Sequence, residues 1–183
     1  MEIDDCLNNL TDFHQHLGFS STPHFLWELA HEQGINIGEK DYWKFIESIS
    51  INKKTSQKRY HHLFDVVQKI QSGPYAVEKS IYQAVSYSYR KANVATLEMR
   101  FNPMRRNRGG ENDLDKIILA ACVGLKKASL EYPVKTGLII ETDRRFDKKL
   151  NKILIYKALK FKNFGVVGLD LSGPENKNFK LII

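Results

Sequence analysis

Cysteine is scarce in this chain, and its scarcity excludes several classes of small domain. Only Cys6 and Cys122 occur, far apart, and neither belongs to a Cys-x-x-Cys pair. A disulfide scaffold or a zinc knuckle needs more cysteines at closer spacing. Two isolated thiols are compatible with a reducing compartment, so we expect a cytoplasmic protein.

Long hydrophobic runs are missing as well. The apolar stretch around Ile117–Leu125 is far shorter than the roughly 20 residues that span a bilayer. The first residues, Met1–Asp5, are acidic and polar, unlike a secretory signal. We therefore expect no membrane association. A length of 183 residues with 42% hydrophobic content suits one globular domain with a substantial core.

Charge is unbalanced but not concentrated. The chain has 28 Lys and Arg against 21 Asp and Glu, a formal net charge of +7. Much of the excess is scattered lysine, which is typical of a solvated surface. Because basic and aromatic residues are not interleaved as in single-strand-binding proteins, nucleic acid is not the expected partner.

Strand and helix patterns alternate along the chain. Strands are predicted at 11–16, 94–101, 134–142 and 166–171, and helices at 23–33, 57–71, 75–91, 112–130 and 146–162. Residues 36–56 interrupt this order as an irregular or helical excursion. Such alternation predicts an α/β fold with parallel strands and right-handed crossovers.

Polar residues collect where the predicted strands end, which is where parallel α/β folds place their chemistry. His14 and His16 end the first strand, and strand alternation puts both imidazoles on one face, about 6–7 Å apart at Cα. They are half of a metal site or, alternatively, a hydrogen-bonded or solvated pair. Later strand ends carry Glu98 and Arg100, which could pair with each other, and then Glu141, Asp143, Asp170, Ser172 and Gly173.

Three segments give these residues a family context. Asp12–Leu17 (DFHQHL), Leu97–Pro103 (LEMRFNP) and Val167–Gly173 (VGLDLSG) occur in that order, and Gly137–Ile140 and Arg144 precede the last. Together they resemble the adenosine deaminase family of the amidohydrolase superfamily, from about residue 11 to the end of the chain. The other class of zinc deaminases uses His-x-Glu with Pro-Cys-x-x-Cys, and neither element is present.

The resemblance implies a fold, a metal and roles for individual residues. The family has a (β/α)8 TIM barrel with one zinc ion, so residues 1–183 would form a partial barrel, the N-terminal half with its first four strands. His14 and His16 would be zinc ligands, and His16 would also face the substrate. The backbone N–H of Gly173 would meet a purine ring nitrogen. Zinc would activate water for hydrolytic deamination of an aminopurine.

The same resemblance implies an incomplete site. The family's remaining ligands and its catalytic acid–base groups lie on later strands, so no catalytic residue is assigned within this chain, which we expect to be inactive alone. Because four strands leave two open edges, the expected partner is the missing C-terminal half or a complementing chain. A non-catalytic half-barrel that binds a nucleotide or a partner is the alternative.

Two local features bear on the substrate, which is a purine nucleoside or nucleotide by resemblance. Where the family usually has Asp, which binds the ribose 5′-hydroxyl, followed by Gly, this chain has Gly18 and Phe19. Adenosine is therefore less expected than a related aminopurine or a nucleotide. The loop after the second strand contains Arg105, Arg106 and Arg108, which could hold a phosphate or belong to an ordinary solvated loop.

Overall fold

Strands and helices alternate in the structure as the sequence pattern predicts. The computed structural model describes residues 10–51, 54, 57–107 and 111–174. The strands are β1 (Leu10–His16), β2 (Val94–Phe101), β3 (Lys135–Asp143) and β4 (Val166–Ser172). The α-helices are α1 (Pro23–Glu32), α2 (Tyr42–Ile49), α3 (Gln57–Ile70), α4 (Pro74–Ala92), α5 (Leu114–Glu131) and α6 (Lys148–Lys160). Each predicted strand and helix is present, with small shifts at its ends.

Side-chain caps explain where the first two helices begin. The Oγ1 of Thr22 accepts a hydrogen bond from the backbone N–H of Phe25 (3.2 Å), and Pro23 is the first residue of α1. Asp41 caps α2 in the same way, by accepting from the N–H of Lys44 (2.9 Å). The excursion over residues 36–56 therefore contains a regular helix.

The sheet has four strands in the order β1-β2-β3-β4, the order of the chain. Every neighbouring pair is parallel: His16 lies opposite Arg100, Arg100 opposite Ile139, and Glu141 opposite Asp170. Parallel strands in chain order, joined by helices, are the arrangement of consecutive units in a TIM barrel. Within the described residues, β1 and β4 are the edges and have no strand on their outer sides.

One face of the sheet packs against α4, α5 and α6. The buried residues of the central strands on this face are Leu97, Met99, Phe101, Leu138 and Ile140. Gly124 keeps α5 close to α4, because a Cβ there would lie 2.6 Å from the backbone oxygen of Glu78. Side chains at the alternate strand positions point to the opposite face, which we call the inner face. Burying the apolar set against the helices therefore turns the polar set inward.

A second apolar cluster lies outside this core. It joins α1, α2 and α3 through Leu26, Leu29, Phe45, Val67 and Ile70. The cluster holds α3 beside the end of β1, where the rings of Phe19 and Phe64 have centroids 4.9 Å apart. Among the helices of the described ranges, each is too short or too polar to cross a bilayer.

Candidate active site

His14 and His16 meet at the end of β1. Their Nε2 atoms are 3.2 Å apart, and their ring centroids are separated by 5.1 Å. The Oδ1 of Asp12 accepts a hydrogen bond from the backbone N–H of His14 (2.9 Å), where the register between β1 and β2 shifts. The imidazoles lie side by side, as strand alternation predicts, although the strand is irregular at this point.

The spacing of the two nitrogens fits a shared metal ion. Two ligands bound at 2.0–2.1 Å to a tetrahedral zinc ion lie about 3.3 Å apart, and the His14 and His16 Nε2 atoms are 3.2 Å apart. Within the described part of the chain, no group of three or more His, Cys, Asp or Glu side chains is arranged to hold a metal. These residues therefore offer two ligands, and a closed site needs ligands from outside them.

Glu141 of β3 contacts the other ring nitrogen of His16. The distance from His16 Nδ1 to Glu141 Oε1 is 2.5 Å, and the Glu141 side chain is 7% exposed. Because β2 lies between β1 and β3, this contact crosses the inner face. A carboxylate at Nδ1 orients an imidazole and leaves its Nε2 available to a metal. The sequence indicates that Glu141 lies near a strand end but does not reveal this contact.

Arg100 of β2 connects three strands. Its Nη1 donates to Asp170 Oδ2 on β4 (2.9 Å), and its Nη2 donates to the backbone oxygen of Phe13 on β1 (2.6 Å). The possible pairing of Glu98 with Arg100 is therefore wrong, because the guanidinium reaches neighbouring strands instead of its own. Glu98 is half-buried and makes no hydrogen bond or ion pair within the described ranges.

Asp143, at the end of β3, holds two arginines. Its Oδ2 accepts from Arg105 Nε (2.9 Å) and Nη2 (2.6 Å) and from Arg145 Nη2 (2.8 Å), and its Oδ1 accepts from Arg145 Nε (2.9 Å). The carboxylate is 0% exposed. Burial alone would raise the pKa of Asp143, but the hydrogen bonds from Arg145 and the charge of Arg105 outweigh burial and hold the pKa below its ordinary value. We call this group the Asp143 cluster.

Gly173 follows β4 next to the Asp143 cluster. Its φ is +99°, and a Cβ at this position would lie 2.8 Å from Asp143 Oδ1. The Nη1 of Arg144 donates to the backbone oxygens of Leu171 (2.7 Å) and Gly173 (3.3 Å), which fixes the turn. Both the backbone conformation and the nearby carboxylate therefore require glycine here.

The arginines after β2 have protein partners. Arg105 belongs to the Asp143 cluster, and Arg106 is 2% exposed, with its Nη1 donating to Gln71 Oε1 (3.1 Å) and to the backbone oxygen of Gln68 (3.4 Å). Arg108 lies outside the described residues. The structure thus separates Arg105 from Arg106 and brings Arg105 to Arg145, whose role the sequence does not indicate beyond its place after a strand end.

Gly18 and Phe19 follow His16 under helix α3. A Cβ on Gly18 would lie 2.9 Å from Cε2 of Phe64, which is the residue that stacks on Phe19. An aspartate at position 18 would therefore displace the Phe64 ring. The glycine is explained by this packing.

Comparisons with known proteins show the family to which this chain belongs. The family model described as adenosine deaminase matches residues 10–181. An adenosine deaminase from Shewanella woodyi is 29% identical over 170 residues, which cover 92% of this chain and 50% of that protein. The chain thus spans about half the length of this relative.

Solved structures give the same coverage. An amidohydrolase from Burkholderia ambifaria, solved with bound Zn, superposes with a TM-score of 0.78 at 18% identity. The alignment covers 91% of this chain and 44% of that chain. Arabidopsis ADAL complexed with IMP superposes with a TM-score of 0.76 at 26% identity. The alignment covers 94% of this chain and 52% of that chain. The same Arabidopsis protein has also been solved with GMP. The four described strands therefore align with half of an amidohydrolase barrel.

Proposed function

Because the chain belongs to the adenosine deaminase family, we propose that it forms the N-terminal half of the active site of a zinc-dependent purine deaminase. The observation that supports this proposal most strongly is the His14–His16 pair, with Nε2 atoms 3.2 Å apart at the carboxyl end of β1. Parallel α/β barrels place their catalytic groups at this end of the strands.

In this proposal, His14 and His16 are metal ligands through their Nε2 atoms. Glu141 keeps the His16 ring in place from the Nδ1 side, at 2.5 Å. A bound zinc ion would supply the Lewis acidity that makes water a competent nucleophile near neutral pH. The His16 side chain is 34% exposed, which would leave it accessible to a substrate.

The substrate in this proposal is an aminopurine nucleoside or nucleotide. The backbone N–H of Gly173 would donate to a ring nitrogen, since a residue without Cβ allows a ligand to approach the main chain. Arg100 links β4, and hence the strand that precedes Gly173, to β1, because it pairs with Asp170 (2.9 Å) and donates to the backbone oxygen of Phe13 (2.6 Å). The complexes of the Arabidopsis relative with GMP and IMP support a purine ligand.

The remaining catalytic groups would come from the other half of the barrel, in the same polypeptide or in a complementing chain. Both sheet edges expose apolar side chains that such a half would cover: Phe13 is 59% exposed on β1, and Leu169 is 49% exposed on β4. Leu159 of α6, beside β4, is 63% exposed. Closing the barrel would bury these groups and pair the free strand edges.

The test is ammonia release from adenosine and adenosine 5′-monophosphate by the full-length protein with zinc. We expect His14→Ala and His16→Ala to lose both bound zinc and activity. His24→Ala is the matched control, because His24 lies on α1 and contacts Glu28 (3.2 Å), away from the strand ends. Activity that survives both site substitutions would contradict the proposal.

A second candidate is a half-barrel that binds nucleotides without catalysis. The absence of a third metal ligand among the described residues favours it. It predicts nucleotide binding by the full-length protein with neither tight zinc nor turnover, so zinc content measured beside the ammonia assay separates the two candidates.

A further inference from the structure

We propose that Arg105 and Arg145, held by Asp143, form the phosphate subsite of this active site, so that the substrate is a nucleoside 5′-monophosphate. This inference rests on the proposed function and extends it, because it names the substrate class and the residues that select it. From the sequence alone, the loop with Arg105, Arg106 and Arg108 is either an anion site or an ordinary solvated loop. The structure brings together a different pair, from two loops.

The Asp143 cluster carries more positive than negative charge. The Asp143 cluster combines two guanidinium groups with one carboxylate, and Asp65 of α3 adds only a smaller electrostatic attraction to Arg145. The carboxylate is saturated by Arg105 and Arg145, since both of its oxygens accept from guanidinium N–H groups. Asp143 balances one of the two guanidinium charges, and the weaker attraction of Asp65 offsets only part of the other, so the cluster attracts a further anion.

Arg105 and Arg145 keep N–H donors that Asp143 does not engage. Asp143 engages Nε and Nη2 of both arginines, and within the described ranges the Nη1 groups of Arg105 and Arg145 have no hydrogen-bond partner. The Arg145 side chain is 47% exposed and that of Arg105 is 17% exposed, whereas Asp143 is 0% exposed. The buried carboxylate of Asp143 thus orients two guanidinium groups and leaves their Nη1 donors available. Such donors suit a phosphate, which has several acceptor oxygens.

The Asp143 cluster is anchored to the fold and lies next to Gly173. The backbone N–H and oxygen of Asp143 are bonded to the Asn151 side chain on α6, at 3.0 and 2.9 Å. The cluster also abuts Gly173, whose Cβ position is 2.8 Å from Asp143 Oδ1. A phosphate bound here would therefore lie beside the residue proposed to contact the purine ring, on a support anchored to the fold.

The space after β1 is consistent with this substrate. Position 18 is a glycine packed under Phe64. The chain therefore has no carboxylate at this position that would repel a phosphate. The sugar's 5′ end would meet the cationic cluster instead of an acidic side chain.

The test compares nucleotide with nucleoside. Equilibrium binding of inosine 5′-monophosphate and inosine is measured by calorimetry on the full-length protein, together with kcat/KM for adenosine 5′-monophosphate and adenosine. We expect the wild type to prefer the nucleotide, and Arg145→Ala to weaken nucleotide binding by about 10- to 100-fold while changing nucleoside binding less than about threefold. Arg145→Lys should be intermediate, because it keeps the charge and loses the fork.

Arg90→Ala is the control, since Arg90 lies in the last turn of α4 and bonds to the backbone oxygen of Ser86. It should leave both ligands unchanged. Equal losses for nucleotide and nucleoside in Arg145→Ala, or no nucleotide preference in the wild type, would overturn the subsite. Nucleotide binding that depends on Arg145 in a protein without deaminase activity would uphold the subsite and refute the proposed function.

Discussion

His16 and Glu141 are 2.5 Å apart, from Nδ1 to Oε1, although one belongs to β1 and the other to β3. The contact leaves His16 Nε2 pointing to His14 Nε2, 3.2 Å away. A buried carboxylate on one nitrogen and a histidine beside the other define which side of the ring a metal would occupy. This relationship orients the proposed site.

Removing the charge of Glu141 should weaken metal binding and leave the fold intact. We expect Glu141→Gln to reduce zinc affinity by about 10- to 100-fold, because the imidazole loses its orienting carboxylate. Competition with a chelator of known affinity measures the effect. Glu98→Gln is the control, since Glu98 is a strand carboxylate too, although half-buried, and has no polar partner in the described ranges. Equal losses in both variants would refute the orienting role.

The Arg100–Asp170 pair should contribute to stability. Its side chains are 10% and 28% exposed, and Arg100 also bonds to the backbone oxygen of Phe13. We expect Arg100→Met to lower the free energy of unfolding by about 2–4 kcal/mol, because it removes the counter-charge of Asp170 and the donor to the Phe13 carbonyl. Urea denaturation and a double-mutant cycle with Asp170→Asn measure the coupling. The exposed pair of Lys79 and Glu32 should give less than about 1 kcal/mol in the same cycle.

A fall in pH should destabilise the folded protein, in part because Asp143 becomes protonated. The pKa of Asp143 is lower in the folded than in the unfolded protein, because the bonds from Arg145 and the charge of Arg105 outweigh burial. Its contribution to stability is therefore complete above the unfolded pKa of about 3.9 and is lost as the pH falls through the folded pKa. The difference in stability between wild type and Asp143→Asn should be largest near pH 7 and shrink in acid.

Urea denaturation between pH 7 and pH 2.5 measures that difference. Glu47→Gln, at an exposed carboxylate on α2, should shift the curve by less than about 0.5 kcal/mol throughout. A difference for Asp143→Asn that stays constant with pH would contradict the electrostatic role of this carboxylate.

Two glycines, Gly168 within β4 and Gly173 just after it, should respond differently to a methyl group. Gly173 has a φ of +99° and faces Asp143 Oδ1 at 2.8 Å, whereas a Cβ on Gly168 would meet Ile139 Cγ1 at an ordinary 3.5 Å. We expect Gly173→Ala to destabilise by about 1–3 kcal/mol and Gly168→Ala by less than about 1 kcal/mol. Thermal unfolding of both variants decides, and similar effects would refute the requirement for glycine at position 173.

The sequence predicts the alternation of elements because each signal is local. The apolar run of Leu138–Ile140 and the capping residue Thr22 act within a few positions of themselves. Helix α2 is less evident, since its eight residues lie in a polar excursion and depend on one cap, Asp41, and on packing of Phe45. Local signals also predict that His14 and His16 share a face.

Partners across the inner face are not encoded locally. Arg100 bonds to Asp170, which is 70 positions away, and Arg105 bonds to Asp143, which is 38 positions away. Only the parallel register decides which charges meet, so the sequence supports several pairings equally. The intrastrand pair of Glu98 with Arg100 is the pairing that the folded sheet excludes.

Zinc K-edge X-ray absorption on the purified full-length protein tests the central claim most directly. We expect about one zinc ion per chain, with nitrogen ligands at about 2.0–2.1 Å. We also expect this signal to disappear when both His14 and His16 are replaced by alanine. A wild type that binds no zinc when zinc is supplied, or a double variant with unchanged zinc coordination, would contradict it.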